Sequence, residues 1–363
     1  MKLKVTQENL TKALGYVARV AQTRGTLPVL ANVLLTVEDN RLKLATTNLD
    51  IAISCLVGAQ VQEEGSLTVP ARLLQDLVAG LPAGVIELEQ DELRLKVNAE
   101  QYKSVINGVS AEEFPVMPAI ETGTTINIPA PLLKEGLQQV VFAASNDESR
   151  PVLTGVLFHT IDKALYIATT DSYRLAEKKI APLKQDINLL IPASALHDVL
   201  RIINDQTGEV EMVCDEQQVL FRAGDVELTT RLIEGNYPDY KKLLPGSFAT
   251  VATLQRAELI NITKVTSLFA RESAGSIVLS VDEASGSIWI RAVASQLGEN
   301  NATATVKAVG SGSITLNSRY LLEALQVMGG KDVTIGFNGK VEAVLLTDPD
   351  QDDYKHLIMP LKS

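Results

Sequence analysis

Few side chains in this sequence are spaced for catalysis or for metal binding. The three histidines, His159, His197 and His356, are far apart and show no metal-ligand spacing. Adjacent carboxylates at 147–148 and 352–353 are candidates for a general acid and base. Because neither pair comes with a histidine or a metal pattern, both are typical of solvated loops. The sequence therefore predicts no catalytic residue, no metal site and no cofactor, and an enzyme is the least favoured of three classes of function.

Composition indicates a multidomain globular chain with aliphatic cores. The chain has 363 residues, of which 46% are hydrophobic and only 4% aromatic, and its length favours two or three domains. It contains no run of about 18 apolar residues, and its start, MKLKVTQENL, lacks the apolar core of a secretion signal. The two cysteines, Cys55 and Cys214, lie far apart. We therefore expect a cytoplasmic protein with two buried, reduced thiols.

A hairpin pattern followed by a polar corner stands in the middle of the chain. Two alternating apolar runs between residues 152 and 168 are joined by a short polar link, which is typical of a β-hairpin. The second run leads into the corner Thr170–Leu175. The same pattern stands at 27–54, where Thr47 precedes Thr170 by 123 residues. The chain therefore contains copies of one domain.

Helical patterns recur with the same period. Apolar residues at i, i+4, i+7, i+8 and i+11 begin at Leu10 and again at Leu133, and this spacing places them on one helix face. A second helix is predicted after Val69-Pro70 and Ile191-Pro192, because proline is tolerated at a helix start. A weaker third copy has the hairpin pattern at 276–293 and the second helix after Leu316-Asn317. The predicted helices are 7–24, 71–80, 130–146, 193–204, 254–271 and 318–328.

Two proline-containing segments, Phe114-Pro115 and Tyr237-Pro238, are also 123 residues apart and mark the predicted linkers. We therefore expect three domains, 1–122, 123–246 and 247–363, each an α+β unit with two helices against antiparallel sheet. A repeat this long indicates tandem whole domains and not the short units of a solenoid. Exposed strand edges at the two ends of such a chain favour aggregation, and closing the domains into a ring removes them.

Charge is distributed unevenly along the chain. The net charge is −11, whereas the six predicted helices together carry +4. A ring with its helices turned inward would present weakly basic side chains to DNA, and weak, diffuse phosphate contacts permit sliding. The alternative is that these are ordinary solvated helix faces. The basic helical residues are Lys12, Arg19, Arg24, Arg72, Lys134, Arg201, Arg256, Lys264, Arg271 and Arg319.

A set of motifs, taken together and in order, resembles one known family over the whole length of the chain. The motifs are TLPVLANVLL, TTNLD, VPAR, RPVLTGVL, ATTDSYRLA, NYPDYKKLLP and the terminal IMPL. They resemble the bacterial sliding clamps, the β subunits of DNA polymerase III. The resemblance implies a head-to-tail homodimer of three-domain chains that closes as a ring on double-stranded DNA. It also implies a processivity factor that binds the replicative polymerase, the clamp loader and other proteins with a clamp-binding motif, and that has no chemistry of its own.

The resemblance further implies three sets of site residues. DNA would be contacted by Arg24, Arg72 and Arg150. The dimer interface would join Leu268 and Phe269 of the third domain to Ser104 and Ile106 of the first. The partner peptide groove would be formed by Leu153, Thr170, Ser172, Tyr173, Arg174, Leu175, Pro238, Lys242, Leu243, Leu357, Ile358, Met359, Pro360 and Leu361.

The groove prediction also rests on the chemistry of these residues. An aliphatic tail beside Leu175 and Leu243, with Arg174 and Lys242 at the rim, forms apolar surface for a short extended peptide. The alternatives are an ordinary terminal strand for the tail and a core position for Leu175. A peptide-binding scaffold that does not encircle DNA is the alternative function.

Three positions depart from patterns found in some members of the family. Asp147 and Ala193-Ser194 replace residues that are uncharged or basic elsewhere, so they bear on DNA contact. Ser172-Tyr173 replaces a Gly-His pair and bears on which peptides the groove prefers.

Overall fold

The computed structural model describes residues 1–21 and 27–361, in which six α-helices and 26 β-strands are found. The first third contains β1 (Lys2–Thr6), α1 (Gln7–Val17), β2 (Asn32–Glu38), β3 (Arg41–Thr47), β4 (Ile51–Gly58), β5 (Gln60–Glu63), β6 (Ser66–Pro70), α2 (Ala71–Gly80), β7 (Val85–Asp91), β8 (Arg94–Ala99) and β9 (Tyr102–Asn107). The middle third contains β10 (Thr124–Pro129), α3 (Ala130–Val140), β11 (Gly155–Ile161), β12 (Ala164–Thr170), β13 (Arg174–Pro182), β14 (Asn188–Pro192), α4 (Ala193–Ile202), β15 (Glu209–Cys214), β16 (Gln218–Ala223) and β17 (Val226–Arg231). The last third contains β18 (Thr250–Gln255), α5 (Arg256–Ser267), β19 (Ser276–Asp282), β20 (Ser287–Ala294), β21 (Gly298–Thr305), β22 (Lys307–Val309), β23 (Gly312–Asn317), α6 (Ser318–Val327), β24 (Asp332–Phe337), β25 (Val344–Asp348) and β26 (Gln351–Ile358).

The element order repeats three times. Each third opens with a strand and a helix and closes with a helix and three strands. The first and middle thirds even share their turns: Asp39 and Asn40 have φ values of 46° and 60°, and Asp162 and Lys163 have 47° and 60°. Positive φ at both central residues is what a two-residue hairpin turn favours. The predicted threefold α+β repeat is therefore confirmed.

The chain divides into two compact units. One consists of residues Met1–Pro131 and Ser194–Leu232, and the other of Leu132–Ala193 and Ile233–Ser363. In the first unit β17 pairs antiparallel with β4, and in the second β13 pairs antiparallel with β26. Each of these pairs joins a strand of the middle third to a strand of another third. The division therefore follows the sheets, and the middle third contributes strands to both units.

Each unit contains two antiparallel sheets. In the first unit the strand orders are β5-β1-β7-β8-β9 and β10-β15-β16-β17-β4-β3-β2-β6. In the second unit they are β14-β11-β12-β13-β26-β25-β24-β18-β22 and β21-β20-β19-β23. The buried residues are mostly aliphatic, as the composition predicts, and both cysteines are buried and unpaired. Burial raises the pKa of the Cys55 thiol to about 12, so this thiol stays protonated and unreactive.

The helices bury one apolar face; α2 has the predicted bounds, and the other five are shorter than predicted. In the first unit α1 buries Leu10, Leu14 and Val17 and packs against α2, β3 and β4. In the second unit α5 packs against α6, β20 and β21. The helix predicted at 254–271 begins only at Arg256, because the preceding residues belong to β18. Asn317, in the place of proline, caps α6: its side-chain oxygen accepts a hydrogen bond of 2.9 Å from the Arg319 N–H.

Candidate functional site

An apolar cluster lies on one face of the nine-stranded sheet in the second unit. Leu175 on β13 stands opposite Thr170 of β12 on one side and Leu357 of β26 on the other. Because side chains alternate along a strand, Leu175 and Leu357 face the same side of the sheet. The buried members of the cluster are Leu157, Ala168, Leu175, Leu190, Tyr240, Ala343, Leu345 and Leu357. The expected neighbourhood of Leu175 and the C-terminal tail is thus present in the structure.

We call this buried cluster the groove cluster. Several partly buried apolar side chains pack against it. Val152, Ile233, Tyr237, Leu244 and Phe248 pack against it and stay partly exposed. Tyr173, Leu243 and Met359 are more open still, at 59%, 50% and 36% exposure. Apolar side chains that remain open around a buried apolar floor are a typical docking surface for apolar groups of a partner.

The polar corner between β12 and β13 holds Tyr173 in its exposed position. The Thr170 hydroxyl donates to the Arg174 carbonyl (2.6 Å) and accepts from the Ser172 N–H (3.1 Å). The Asp171 carboxylate accepts from the N–H groups of Tyr173 and Arg174 at 2.9 and 3.0 Å. Ser172 adopts a left-handed φ of 78°, a conformation that short polar residues tolerate better than most. Thr170 is therefore buried inside the corner, whereas Ser172 and Tyr173 face solvent.

Arg174 does not form the exposed rim that the sequence suggested. Its position next to Leu175 on β13 directs it to the opposite face of the sheet, where its side chain is 8% exposed. There the guanidinium pairs with Asp171 (3.0 Å) and with Glu323 of α6, and donates to the Phe142 carbonyl (2.8 Å). It also lies 4.6 Å from the centroid of the Tyr320 ring. Arg174 therefore ties the corner to α6 from the face of the sheet opposite Leu175.

The C-terminal tail has a buried part and an open part. Leu357 and Ile358 are 1% and 0% exposed and belong to β26, which has neighbours on both sides. Beyond them, the Met359 N–H donates to the Tyr173 carbonyl (2.8 Å) and the Leu361 N–H to the Thr315 carbonyl (2.9 Å). Met359 is exposed, and Pro360 and Leu361 are half-buried. The reading of the tail as a terminal strand is correct up to Ile358, and residues 359–361 continue beyond the strand, with Met359 tied to the Tyr173 backbone.

The linker after β17 contributes more than the three residues that the resemblance implied. Pro238 and Lys242 are exposed, and the Lys242 ammonium pairs with Asp239 at 2.9 Å. The buried contribution comes from Tyr240, which is 2% exposed, and from Leu244. Both are missing from the prediction, because a short 3₁₀ turn at Tyr240–Leu243 leaves no periodic signal in the sequence. The remaining predicted member, Leu153, is 5% exposed and precedes β11.

The predicted DNA-contacting residues fall in three different settings. Arg24 lies outside the described residues. Arg72 is exposed on α2. Arg150 pairs with Asp147 (3.2 Å) and donates to the Ser172 hydroxyl (3.1 Å), so it lies beside the corner. The Ser149 hydroxyl and N–H, followed by Arg150, hold the pKa of the Asp147 carboxyl below its usual range.

The other basic residues of the helices divide into engaged and open side chains. Arg256 donates to the carbonyls of Gly330 (2.7 Å) and Leu325 (2.9 Å) and so caps the end of α6. Arg201 pairs with Asp198 at 2.6 Å, and Arg319 pairs with Glu323 at 3.8 Å. Exposed side chains are found at Lys12, Arg19, Arg72, Lys264 and Arg271.

The predicted dimer residues lie on one edge strand, β9, and directly after one helix, α5. In the first unit β9 forms one edge of the five-stranded sheet; Ser104 is half-buried and Ile106 is 4% exposed, whereas Val105 is 59% exposed. Strand alternation turns Ile106 into the core and Val105 outward. In the second unit Leu268 is 49% exposed and Phe269 is half-buried at the end of α5.

The end of α5 is next to an edge of the four-stranded sheet. Helix α5 packs against β21, and the Thr266 hydroxyl lies 2.8 Å from the side-chain oxygen of Asn300 on that strand. Strand β21 is the edge of its sheet. An edge strand presents unpaired N–H and C=O groups that another strand can bind. Leu268 and Phe269 therefore flank a surface suited to pairing with a strand.

Within residues 1–21 and 27–361, no group of three or more histidine, cysteine, aspartate or glutamate side chains is arranged to hold a metal ion. Asp353, one of the acidic residues considered for catalysis, pairs with the Lys178 ammonium at 2.9 Å. No helix in the described part of the chain is long and apolar enough to cross a membrane.

Comparison with known proteins accounts for nearly the whole chain. Models of the N-terminal, central and C-terminal domains of the DNA polymerase III beta subunit match residues 1–118, 127–239 and 241–362. The chain belongs to the DNA polymerase III beta subunit family. Among its relatives, the beta sliding clamp of Synechocystis is 31% identical over 389 aligned residues, which cover 100% of this chain and 99% of the relative. The Bacillus subtilis beta sliding clamp is 28% identical over 382 residues and is covered completely, as is this chain.

Solved structures of beta subunits have the same fold. A DnaN sliding clamp from Pseudomonas aeruginosa bound to griselimycin has a TM-score of 0.95 and 28% identity, with 100% of both chains covered. The sliding clamp from Bacillus subtilis has a TM-score of 0.95 and 29% identity, with 100% of this chain and 99% of that chain covered. The resemblance seen in the sequence motifs is therefore confirmed as family membership.

Proposed function

We propose that this chain is a sliding clamp, the processivity factor of a bacterial replicative DNA polymerase. Two chains close head to tail around duplex DNA, and the ring tethers the polymerase through the groove cluster. The chain is a non-catalytic subunit of the DNA-directed DNA polymerase holoenzyme and acts in the cytoplasm. Membership of the family, with models of its three domains matching residues 1–118, 127–239 and 241–362, is the observation that carries this proposal. We keep 1–122, 123–246 and 247–363 as the proposed domain bounds.

The groove cluster supports the recruitment of partners. Its floor is buried and apolar, five partly buried apolar side chains pack against it, and we expect the exposed Tyr173, Leu243 and Met359 to complete its border. We expect it to take a short extended peptide that offers two or three apolar side chains, as in the clamp-binding motif of the polymerase and the clamp loader. Methionine at the border adapts its shape to different side chains, which suits a surface shared by several partners.

The charge distribution supports weak contact with DNA. The five open basic side chains on or after the helices are Lys12, Arg19, Arg72, Lys264 and Arg271. Isolated cations separated along helices neutralise few phosphates at a time, so the salt-dependent part of binding is small and the protein slides. We expect Arg24 and Arg72 to be the more important contacts and Arg150 to act at the corner beside the groove instead.

The two strand edges support assembly of the ring. We infer that β9 of one chain pairs with β21 of its partner, with Leu268 and Phe269 packing against the Tyr102–Asn107 strand. Exposed Tyr102 and Val105 on β9 (45% and 59%) supply the apolar contacts. Pairing of these strands covers both edges, which otherwise favour aggregation.

The decisive experiment is topological. The chain is loaded onto nicked circular DNA by the cognate clamp loader, separated by gel filtration, and then exposed to a restriction enzyme that linearises the circle. We expect the chain to stay on the circle and to leave more than nine-tenths of the molecules after the cut, with little affinity for short linear duplexes. Tight binding to short duplexes and retention on cut DNA would falsify encirclement.

A charge-reversal pair separates this function from that of a scaffold without DNA. Arg24→Glu combined with Arg72→Glu should lower retention on circles several-fold, because two phosphate contacts are replaced by repulsion. The matched control is Arg94→Glu, which reverses an exposed charge on the strand β8. Peptide affinity should stay within twofold in all variants. Equal retention by both variants would leave the helical charges without a role in binding DNA.

A further inference from the structure

A buried polar network lies beside the groove cluster, on the same face of the sheet. Glu177 follows Leu175 by two residues on β13, and its side chain is 3% exposed. Its carboxylate accepts a hydrogen bond of 2.6 Å from the Tyr240 hydroxyl and pairs with the Lys241 ammonium. A buried carboxylate is costly unless it is paired and hydrogen-bonded. Tyr240 and Lys241 supply both kinds of partner from one short turn.

The network continues to a histidine on β11. The His159 Nε2 atom lies 2.8 Å from the Tyr240 hydroxyl oxygen. Because that hydroxyl donates to Glu177, it accepts from His159, which requires a proton on Nε2. Burial, and then the charge of Lys241, lowers the pKa of His159, so the ring is neutral. Burial beside Glu177 raises the pKa of the Tyr240 phenol and keeps its proton in place.

The turn that contains Tyr240 and Lys241 relies on its side chains for attachment to the sheet. Its backbone hydrogen bonds are local, from the Tyr240 N–H to the Pro238 carbonyl (2.8 Å) and from the Leu244 N–H to the Lys241 carbonyl (3.3 Å). The Lys241 ammonium lies 4.8 Å from the centroid of the Tyr166 ring on β12. The same turn places Tyr240 in the floor of the groove cluster and Leu244 at its border.

We propose that Glu177 is a positioning residue for the peptide groove: its carboxylate fixes the Tyr240–Leu243 turn on the sheet and so prepares the groove for its client. This inference rests on the proposed function. When a binding surface is already ordered, no binding free energy is spent on ordering it, so the affinity is higher. If the turn were in place in only one molecule in ten, the apparent affinity for a client would fall tenfold.

The internal repeat argues that this network is not needed to build the fold. The residues 123 positions before Glu177 and Tyr240 are Ser54 and Met117. Ser54 is buried on β4, which lies between β3 and β17 as β13 lies between β12 and β26. Its own side chain is a hydroxyl, and the carboxylate nearby is that of Glu227, opposite it on β17. The same fold therefore forms in the first third with a hydroxyl in the place of the carboxylate. The network is therefore a feature of the sheet that carries the groove cluster and not of the equivalent strand in the first third.

The test compares three isosteric variants of the full-length chain. Glu177→Gln keeps the size of the side chain and removes the charge, and Tyr240→Phe keeps the ring in the cluster and removes the hydroxyl. The control Glu227→Gln removes the same charge from a carboxylate that pairs with Arg222 at 2.7 Å in the other unit. The probe is a fluorescein-labelled peptide containing the clamp-binding motif of the cognate polymerase, measured by anisotropy. Hydrogen exchange of residues 239–246 is followed in the same samples.

We expect Glu177→Gln to weaken peptide binding about tenfold and Tyr240→Phe about threefold, with faster exchange in the turn in both. Glu227→Gln should change neither quantity by more than twofold. Combining Glu177→Gln with Leu244→Ala should cost less than the two changes separately, because both act through the same turn.

Two results overturn the inference. Unchanged affinity with faster exchange means that the position of the turn does not matter to the client, and weaker binding with unchanged exchange means that Glu177 acts in another way. Failure of the unaltered chain to bind the peptide at all is different: it rejects the groove itself and, with it, the positioning role. Retention on circular DNA should be the same in all three variants, so a loss there would indicate general damage.

Discussion

Two C-terminal deletions distinguish the groove from the core. Removing residues 359–363 takes away the exposed Met359 side chain and two hydrogen bonds, Met359 N–H to Tyr173 O (2.8 Å) and Leu361 N–H to Thr315 O (2.9 Å). Removing residues 357–363 also takes away Leu357 and Ile358, which are 1% and 0% exposed in the nine-stranded sheet. The longer deletion removes only two more residues than the shorter one, but those two residues are the most deeply buried part of the tail.

The expected free energies differ accordingly. Two backbone hydrogen bonds contribute about 1–3 kcal/mol together, so the shorter deletion leaves a folded chain. Loss of a buried leucine or isoleucine side chain costs about 2–5 kcal/mol, which makes the longer deletion worse by about 4–10 kcal/mol. That cost is comparable with the whole stability of a typical domain, about 5–15 kcal/mol. We therefore expect the shorter deletion to lose peptide binding alone and the longer one to lose the fold as well.

Thermal unfolding followed by circular dichroism and peptide anisotropy measure the two effects. The shorter deletion should keep its far-ultraviolet spectrum and a cooperative transition, while peptide affinity falls at least tenfold. The control is Val116→Ala, at a site in the first linker that is 96% exposed. It should leave both the melting curve and the peptide affinity unchanged. Unchanged peptide affinity in the shorter deletion would remove residues 359–361 from the groove. A native melting curve for the longer deletion would contradict the core position of Leu357 and Ile358.

Three further predictions each concern one side chain. Arg174→Ala should lower the free energy of unfolding by about 3 kcal/mol in urea denaturation, because it removes the buried partner of the Asp171 carboxylate and leaves Glu323 paired only with the exposed Arg319; an effect no larger than that of Arg319→Ala would contradict this. Burial, and then Arg174, lowers the pKa of His356 to about 3, so the neutral ring stabilises the fold above pH 6.5 and this stability is lost as pH falls towards 3. Urea denaturation should show about 1.4 kcal/mol lost between pH 7.5 and pH 5.5 from this residue, and His356→Gln should remove that part of the slope; an identical slope in the variant would rule it out. Val105→Glu on the β9 edge should convert dimers to monomers in sedimentation experiments while Val116→Glu does not, and an unchanged dimer mass would reject this edge as the interface.

The sequence predicts the repeated parts of the fold well, because an element predicted in one copy is also predicted 123 residues away in the other copy. All six helices are found, and the corner Thr170–Leu175 has its counterpart at Thr47–Ala52. In both corners the threonine hydroxyl donates to the carbonyl four residues later, at 2.6 Å and 3.0 Å. Residues Leu49 and Ser172, two positions after these threonines, share a φ of 78°. Local hydrogen bonding of this kind is encoded by nearby residues and is therefore readable from the sequence.

The parts that could not be predicted depend on contacts distant in the sequence. Pairing of β17 with β4 and of β13 with β26 divides the middle third between two units, and strand pairing leaves no periodic signal. The face of a strand is also lost when the exact start of the strand is uncertain by one residue. The resemblance implied Arg174 for the groove and Ile106 for the interface without indicating the face of the strand on which either lies, and both are buried in this chain. Tyr240 and Glu177 are 63 residues apart, so only the structure brings them together.

The two corners also show why only one of them adjoins a groove. Ala52 of the first third occupies the position of Leu175, and it stands opposite Thr229, whereas Leu175 stands opposite Leu357. The backbone is the same in both places, but a small and a polar residue replace two leucines. Apolar area is what a client peptide would bury, and a leucine contributes about 1.5–3 kcal/mol when it is removed from water. Duplication of the domain therefore supplied the corner and its strands twice, and the side chains at 175 and 357 account for the presence of the groove cluster in the second unit.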